Sequence, residues 1–167
     1  MLMIVGGTIF TAGLGGLFHF LYKLSGNILL LGMFVPVNES VWEHLKLVFL
    51  PMLLWCALVS WVGRRSINFL YVCMSAVLHV MAFIVAAFYI FLAVFGKDSI
   101  IFDLTIYALG MLYAVALGEY SYSPGSSHDT AALVLVVALL TLFPACTLYP
   151  PRLEPWRDSE TGGYGIL

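Results

Sequence analysis

Between Asn38 and Lys46 the chain reads Asn-Glu-Ser-Val-Trp-Glu-His-Leu-Lys, which sets two carboxylates, an imidazole and an ammonium between two strongly apolar segments. No other stretch between apolar segments is so densely ionisable. Imidazole and carboxylate suit zinc, iron or manganese, and a histidine beside a carboxylate in a partly dry site can act as acid and base. His19, near the end of the preceding apolar run, supplies a second imidazole. The candidate catalytic residues are therefore His19, Glu39, Glu43 and His44, and the same four are the candidate ligands of one divalent metal ion. The spacing matches no metal motif: neither His-Glu-x-x-His nor Glu-x-x-His occurs.

Each of these residues also has a plain structural reading. Ser40-x-x-Glu43 has capping-box spacing, with Asn38 as an alternative N-cap and Lys46 placed to pair with Glu43. Glu39, Glu43 and Lys46 share one stripe if the helix begins before Glu39. A first-turn Glu39 is favoured by the helix dipole, Trp42 and His44 suit a membrane interface, and His19 suits a bond to a backbone carbonyl. Asp103 either caps its own helix or joins the cluster. His79, near the middle of an apolar segment, reads as a histidine hydrogen-bonded between helices.

What must position these groups is a membrane scaffold. The chain has 167 residues, 62% hydrophobic and 10% charged, with a mean hydropathy of +1.03. A soluble domain is about 25% charged, so lipid is the expected solvent. The net charge of −2 argues against nucleic acid, which requires a basic face. Cys56, Cys73 and Cys146 lie in apolar runs and suggest neither a metal site nor a disulfide framework. No basic residue precedes Lys23, so the first run reads as a retained span rather than a cleaved signal.

A span needs about 20 apolar residues. Five segments qualify, at about 2–22, 40–62, 67–95, 99–119 and 130–148. The fold class is therefore an all-α integral membrane bundle of five transmembrane helices over 1–148. Residues 24–37 are too short and broken for a span and read as a re-entrant or interfacial segment before helix two. Pro51 removes a hydrogen bond and frees the carbonyl of Leu47, which predicts a kink. Gly63 to Ser66 ends the second span, Asp129 caps the fifth, and Gly6, Gly7, Gly13, Gly15 and Gly16 allow close packing of the first. The tail, 149–167, carries Leu153, Trp156, Tyr164 and Ile166 among its charges, so it is expected to be ordered and folded on the membrane face.

Five spans put the termini on opposite sides. The C-terminal side receives Lys23, Lys46, Lys97, Arg152 and Arg157, against Arg64 and Arg65 on the other, which makes the C-terminal side cytoplasmic. The same side gathers His19, the Asn38–Lys46 stretch, Asp103 and the tail. Asn38, Trp42, Lys46, Asp103, Trp156, Asp158 and Tyr164 are the expected lining of a polar pocket there.

His19-Phe20, the Asn38–Lys46 block, Phe49, Pro51, Pro150-Pro151, Trp156-Arg157-Asp158 and Gly163-Tyr164-Gly165-Ile166 together resemble a family of small bacterial multi-pass membrane proteins, a domain of unknown function. The chain departs from that family's pattern at Ser159, where the family has proline. The resemblance implies an integral protein of the bacterial inner membrane and supplies no activity. The expected function is an enzyme-like or ligand-binding protein whose His/Glu pocket acts on a membrane-derived or small polar substrate. A small permease or proton-coupled carrier running past His79, and an accessory subunit that docks a membrane partner or a second copy, are the alternatives.

Overall fold

The computed structural model describes residues 1–62, 68–121 and 129–166. Seven α-helices are described: α1 (Leu2–Leu24), α2 (Leu29–Gly32), α3 (Val41–His44), α4 (Lys46–Trp61), α5 (Asn68–Phe95), α6 (Ile100–Ser121) and α7 (Asp129–Leu148). A short 3-10 turn follows at Glu154–Trp156. Taking α3 and α4 together as Val41–Trp61, five helices are long and apolar enough to cross a membrane. The expected helix end at Gly63–Ser66, the Arg64-Arg65 pair, the loop through His128 and the side chain of Asp129 lie outside the described residues.

Helix α4 is the axis of the bundle. Val48, Phe49, Met52, Trp55, Cys56 and Val59 are all buried along it. It packs on α1 and α5, while α6 packs on α1 and α5, and α7 lies against α5. The interior and the outer surface are both apolar, so amphipathicity does not mark the packed faces; contact between small residues does. Helix α1 buries Gly7, Thr11 and Gly15, one helical turn apart. A methyl on Gly7 would lie 2.8 Å from Trp55 and Val115, whereas Gly6, Gly13 and Gly16 face open space. Two of the five glycines in α1 therefore do the packing. Cys56 and Cys73 are buried free thiols in the α4–α5 core, as their apolar settings imply.

Pro51 sits inside α4. The ring of proline leaves the carbonyl four residues earlier without its amide. That carbonyl, Leu47 O, lies 3.3 Å from the Tyr107 hydroxyl on α6, which also lies 3.4 Å from Thr11 O on α1. The hydroxyl has room because residue 15 is glycine: a methyl there would land on it. One hydroxyl thus joins three helices at the point where the proline breaks the ladder.

The segment before α3 contains too little helix to be a span. After α1 the chain reverses through Gly26 and Asn27, makes the single turn of α2, and packs Gly32 against Tyr22 and Val37. Ile28, Leu29 and Leu30 point outward, while Val35 is buried.

Tyr107→Phe should leave Leu47 O unpaired and lower the thermal midpoint in detergent by roughly 2–4 °C, the equivalent of about 1 kcal/mol. Gly15→Ala should cost more, and the double variant should be less destabilised than the sum of the two singles, because removing the hydroxyl makes room for the methyl. Strict additivity would show that the two residues do not meet.

Candidate functional site

The site begins with the loop that enters α3. Ser40 is the N-cap, and its Oγ accepts from the Glu43 amide at 3.3 Å. Only this half of the capping box forms, because the Ser40 amide donates to Asn38 Oδ1 at 3.0 Å instead of to Glu43. Helix α3 starts at Val41, so Glu39 stays in the loop, and the stripe of Glu39, Glu43 and Lys46 expected of an earlier start is not formed.

The C-terminal segment holds that loop in place. Arg157 and Tyr164 form an antiparallel bridge, and Asp158 closes the hairpin through its amide to Gly163 O at 2.9 Å. Asp158 is 4% exposed. It accepts from the Glu39 amide at 3.2 Å, the Glu160 amide at 3.1 Å and the Thr161 hydroxyl at 2.5 Å. Asn38 Nδ2 donates to Gly165 O at 2.8 Å, and the Ser159 hydroxyl donates to Glu39 O at 3.1 Å. Gly165 has φ +69°, and a Cβ on it would lie 2.8 Å from Thr147 O, so both conformation and space require glycine. Trp156 stacks on Trp42 with ring centroids 4.8 Å apart.

Behind the loop lies a sealed ionic group. Lys46 is 1% exposed and Glu43 is 2% exposed. Lys46 Nζ lies 2.6 Å from Glu43 Oε2, 2.7 Å from Thr147 Oγ1, 2.9 Å from Gly32 O and 3.3 Å from Val35 O. Glu43 Oε2 also accepts from the Val37 amide at 3.1 Å, and its Oε1 accepts from Thr147 Oγ1 at 2.7 Å. A buried ammonium is tolerated only when it is neutralised and its protons find acceptors. Here they do, and the acceptors come from α2, its following turn, α3 and α7.

In front of the loop lies a second, wetter group. Glu39 Oε2 is 3.4 Å from His44 Nε2 and 3.9 Å from His19 Nε2, and Glu39 Oε1 is 3.6 Å from Lys23 Nζ. One donor atom from each of His19, Glu39 and His44 falls within 4.8 Å of the others. His44 Nδ1 lies 2.8 Å from Ser40 O. A carbonyl can only accept, so Nδ1 donates, and the ring is fixed with Nε2 toward Glu39. The hydrogen-bonded His44 imidazole, foremost, lowers the Glu39 carboxyl to about 2; burial opposes this, and the charges of His44, His19 and Lys23 assist.

The structure thus divides the four residues singled out from the sequence. His19, Glu39 and His44 come together, while both oxygens of Glu43 are occupied by Lys46, Thr147 and Val37. Asp103 is close enough to His44 to interact with its charge, but lies outside the 4.8 Å group. Asn38, Asp158, Trp42, Trp156 and Tyr164 shape the loop and its clasp. A cavity of about 210 Å³ beside Glu39 is lined by Lys23, Asn38, Asp158, Glu160 and Thr161 among others. His79 bonds within its own helix to Ser75 O at 2.7 Å and is exposed on the outside of α5, not bonded between helices. Thr147 was not singled out from sequence, because a threonine in an apolar helix normally bonds its own backbone, as this one also does to Phe143 O at 3.0 Å.

Lys46→Met should leave a buried carboxylate unpaired and destabilise the protein by about 3–5 kcal/mol. Lys46→Met combined with Glu43→Leu should recover much of that loss, measured as thermal midpoint or yield of folded protein. For Glu39 the lowered carboxyl fixes the sign. Its contribution is complete above the ordinary value of 4.5 and is lost only as pH falls through about 2. The ¹³C resonance of the Glu39 carboxylate should therefore remain in its ionised position at pH 4, where an unperturbed glutamate is largely protonated.

A family model, DUF6512, described as a family of unknown function, matches residues 2–166. Neither the curated proteins nor the solved structures contain a match. The match spans all five long helices, the Asn38–Lys46 stretch and the C-terminal clasp together, and the chain belongs to this family, DUF6512.

Proposed function

We propose that the chain is an integral membrane protein in which His19, Glu39 and His44 hold one divalent transition-metal ion of the zinc class at the cytoplasmic membrane face. The observation that carries this is the convergence of three donor atoms within 4.8 Å. In a tetrahedral site with bonds of about 2.0–2.1 Å, neighbouring ligand atoms lie about 3.3 Å apart. The separations of 3.4 and 3.9 Å on Glu39 are near that value before any ion draws them together. The Nδ1 bond from His44 to Ser40 O supplies the outer support that metal-binding histidines use to fix tautomer and direction.

Two imidazoles and one carboxylate make the three-ligand set of catalytic rather than structural zinc sites, leaving a position for water or substrate. A metal there would lower the pKa of its water toward neutrality. The chain's own groups supply the rest. Lys23 sits beside Glu39 and can balance a negative charge. The 210 Å³ cavity shares Glu39 and seats a small polar molecule or a lipid headgroup. Asp158 and Asn38 keep Glu39 in position through the loop backbone. Hydrolysis or acid–base chemistry on a membrane-derived or small polar substrate is the activity this arrangement favours.

Elemental analysis of detergent-solubilised protein, purified without chelator, tests the proposal. Wild type should retain about one equivalent of zinc, iron or manganese. His44→Ala and Glu39→Gln should lose it while eluting as folded protein, and His19→Ala should weaken retention. Wild type that neither retains nor takes up metal after dialysis against zinc would overturn the metal reading and leave the Glu39–His44 pair as a metal-free acid and base.

A further inference from the structure

The cavity of about 210 Å³ beside Glu39 opens on the Lys23 side of that carboxylate, away from the imidazoles. Its wall includes Lys23, Asn38, Glu39, Asp158, Glu160 and Thr161, but neither His19 nor His44. Lys23 follows His19 by one helical turn on the same face of α1, and Glu39 reaches both, at 3.6 and 3.9 Å. Asp158 Oδ1 accepts from the amides of Glu39 and Glu160, at 3.2 and 3.1 Å, so these two residues leave one oxygen side by side. The tail thereby brings a further carboxylate, Glu160, to the wall that holds Glu39 and Lys23.

Most polar groups of this wall are already spent. Asp158 takes three donors, and Asn38 bonds Ser40 and Gly165. Thr161 Oγ1 donates to Asp158 and accepts from the Gly163 amide. Two charged ends are not spent. Lys23 meets Glu39 only at 3.6 Å, beyond hydrogen-bond reach, with 65% of its side chain exposed. Glu160 is exposed, and its carboxylate has no cationic partner among the described residues. One cavity therefore offers a free ammonium and a free carboxylate. With one divalent ion on His19, Glu39 and His44, the ion and Lys23 carry three positive charges, and Glu39, Asp158 and Glu160 carry three negative ones. Such a wall favours a ligand that is neutral overall and carries both signs. An anion alone would meet Glu160, and a cation alone would meet Lys23 and the ion.

The position in the bundle narrows the choice. Lys23 lies in the last turn of its span, and Leu24, Ile28 and Leu30 beyond it are exposed. With the five helices read as membrane spans, the cavity lies at headgroup level, with apolar surface beside it for acyl chains. The anionic group that lipids present at this level is phosphate, which a lysine ammonium and a divalent metal both bind. Resting on the metal reading of His19, Glu39 and His44, we infer that the cavity binds a zwitterionic phosphodiester of the phosphoethanolamine class. Its phosphate lies on the Lys23 side of Glu39 and its ammonium at Glu160. The source is either a membrane lipid or the same headgroup free in solution.

The test uses full-length protein in dodecyl maltoside, loaded with zinc, with the bound metal read by elemental analysis. Titration calorimetry then compares glycerophosphoethanolamine with glycerophosphoglycerol, two diesters of which only the first carries an ammonium. The same comparison is made with phosphatidylethanolamine and phosphatidylglycerol in mixed micelles. Wild type should bind the ethanolamine form at about one per chain and about tenfold more tightly than its glycerol counterpart. Glu160→Gln should keep its zinc and bind both forms alike. Lys23→Gln should keep its zinc and bind both about tenfold more weakly. A lipid bound more tightly than the free diester assigns the site to a lipid headgroup, and equal affinity assigns it to the soluble one. Zinc-loaded wild type with no preference for the ethanolamine form, free or in lipid, overturns this proposal and leaves the metal reading intact. Wild type that takes up no zinc overturns the metal reading and this proposal with it. The wild-type comparison decides even if a variant fails to fold.

Discussion

A single buried ammonium dictates the architecture of the polar end. Lys46 begins the central helix, is sealed from solvent, and cannot remain there unpaired. Glu43 neutralises it, but an ion pair alone leaves protons and lone pairs over. The carbonyls of Gly32 and Val35 and the hydroxyl of Thr147 take up the remainder. This explains why residues 29–37 avoid a long helix: an unbroken one would have spent those carbonyls on its own ladder. It also explains why α7 ends where it does, since its last turn must deliver Thr147 to both ions. Charge satisfaction, more than apolar packing, sets the positions of α2, α3 and α7 at this end.

The outer group depends on the inner one. With Glu43 committed to Lys46, the loop ahead of α3 is fixed at Val37, and Glu39 emerges on the opposite side of the chain toward His19 and His44. The tail then fixes Glu39 from behind, through Asp158 on its amide and Ser159 on its carbonyl. A structural charge pair and a solvent-accessible carboxylate thus lie within one short stretch without competing for the same partners.

Much of this was legible in the sequence. The five long helices follow from apolar length alone, the N-cap from Ser40-x-x-Glu43, and the freed Leu47 carbonyl from Pro51. The tail's aromatic residues implied order, and Arg157 and Tyr164 form an antiparallel bridge within it. What the sequence could not settle was direction. Glu39 and Glu43 share a helical stripe only if the helix starts before them; it starts at Val41, after an extended Ser40, in a loop that Asn38 and Asp158 hold through the Ser40 and Glu39 amides. That choice depends on a partner more than a hundred residues away. Thr147 was hidden for the same reason, and the outward facing of His79 because an outer surface as apolar as the interior carries no polarity signal to distinguish surface from core.

The sequence distances within the polar end also imply an order of assembly. Thr147 meets Lys46 across 101 residues, Asp158 meets Glu39 across 119, and Gly165 meets Asn38 across 127. None of these bonds can form until α7 has packed against the other helices. A chain whose first four long helices have assembled still carries Lys46 and Glu43 without their threonine and Glu39 without its clasp. Completion of the polar end therefore requires contacts that span most of the chain. The arrangement that positions the histidines and carboxylate also registers that the whole bundle is in place.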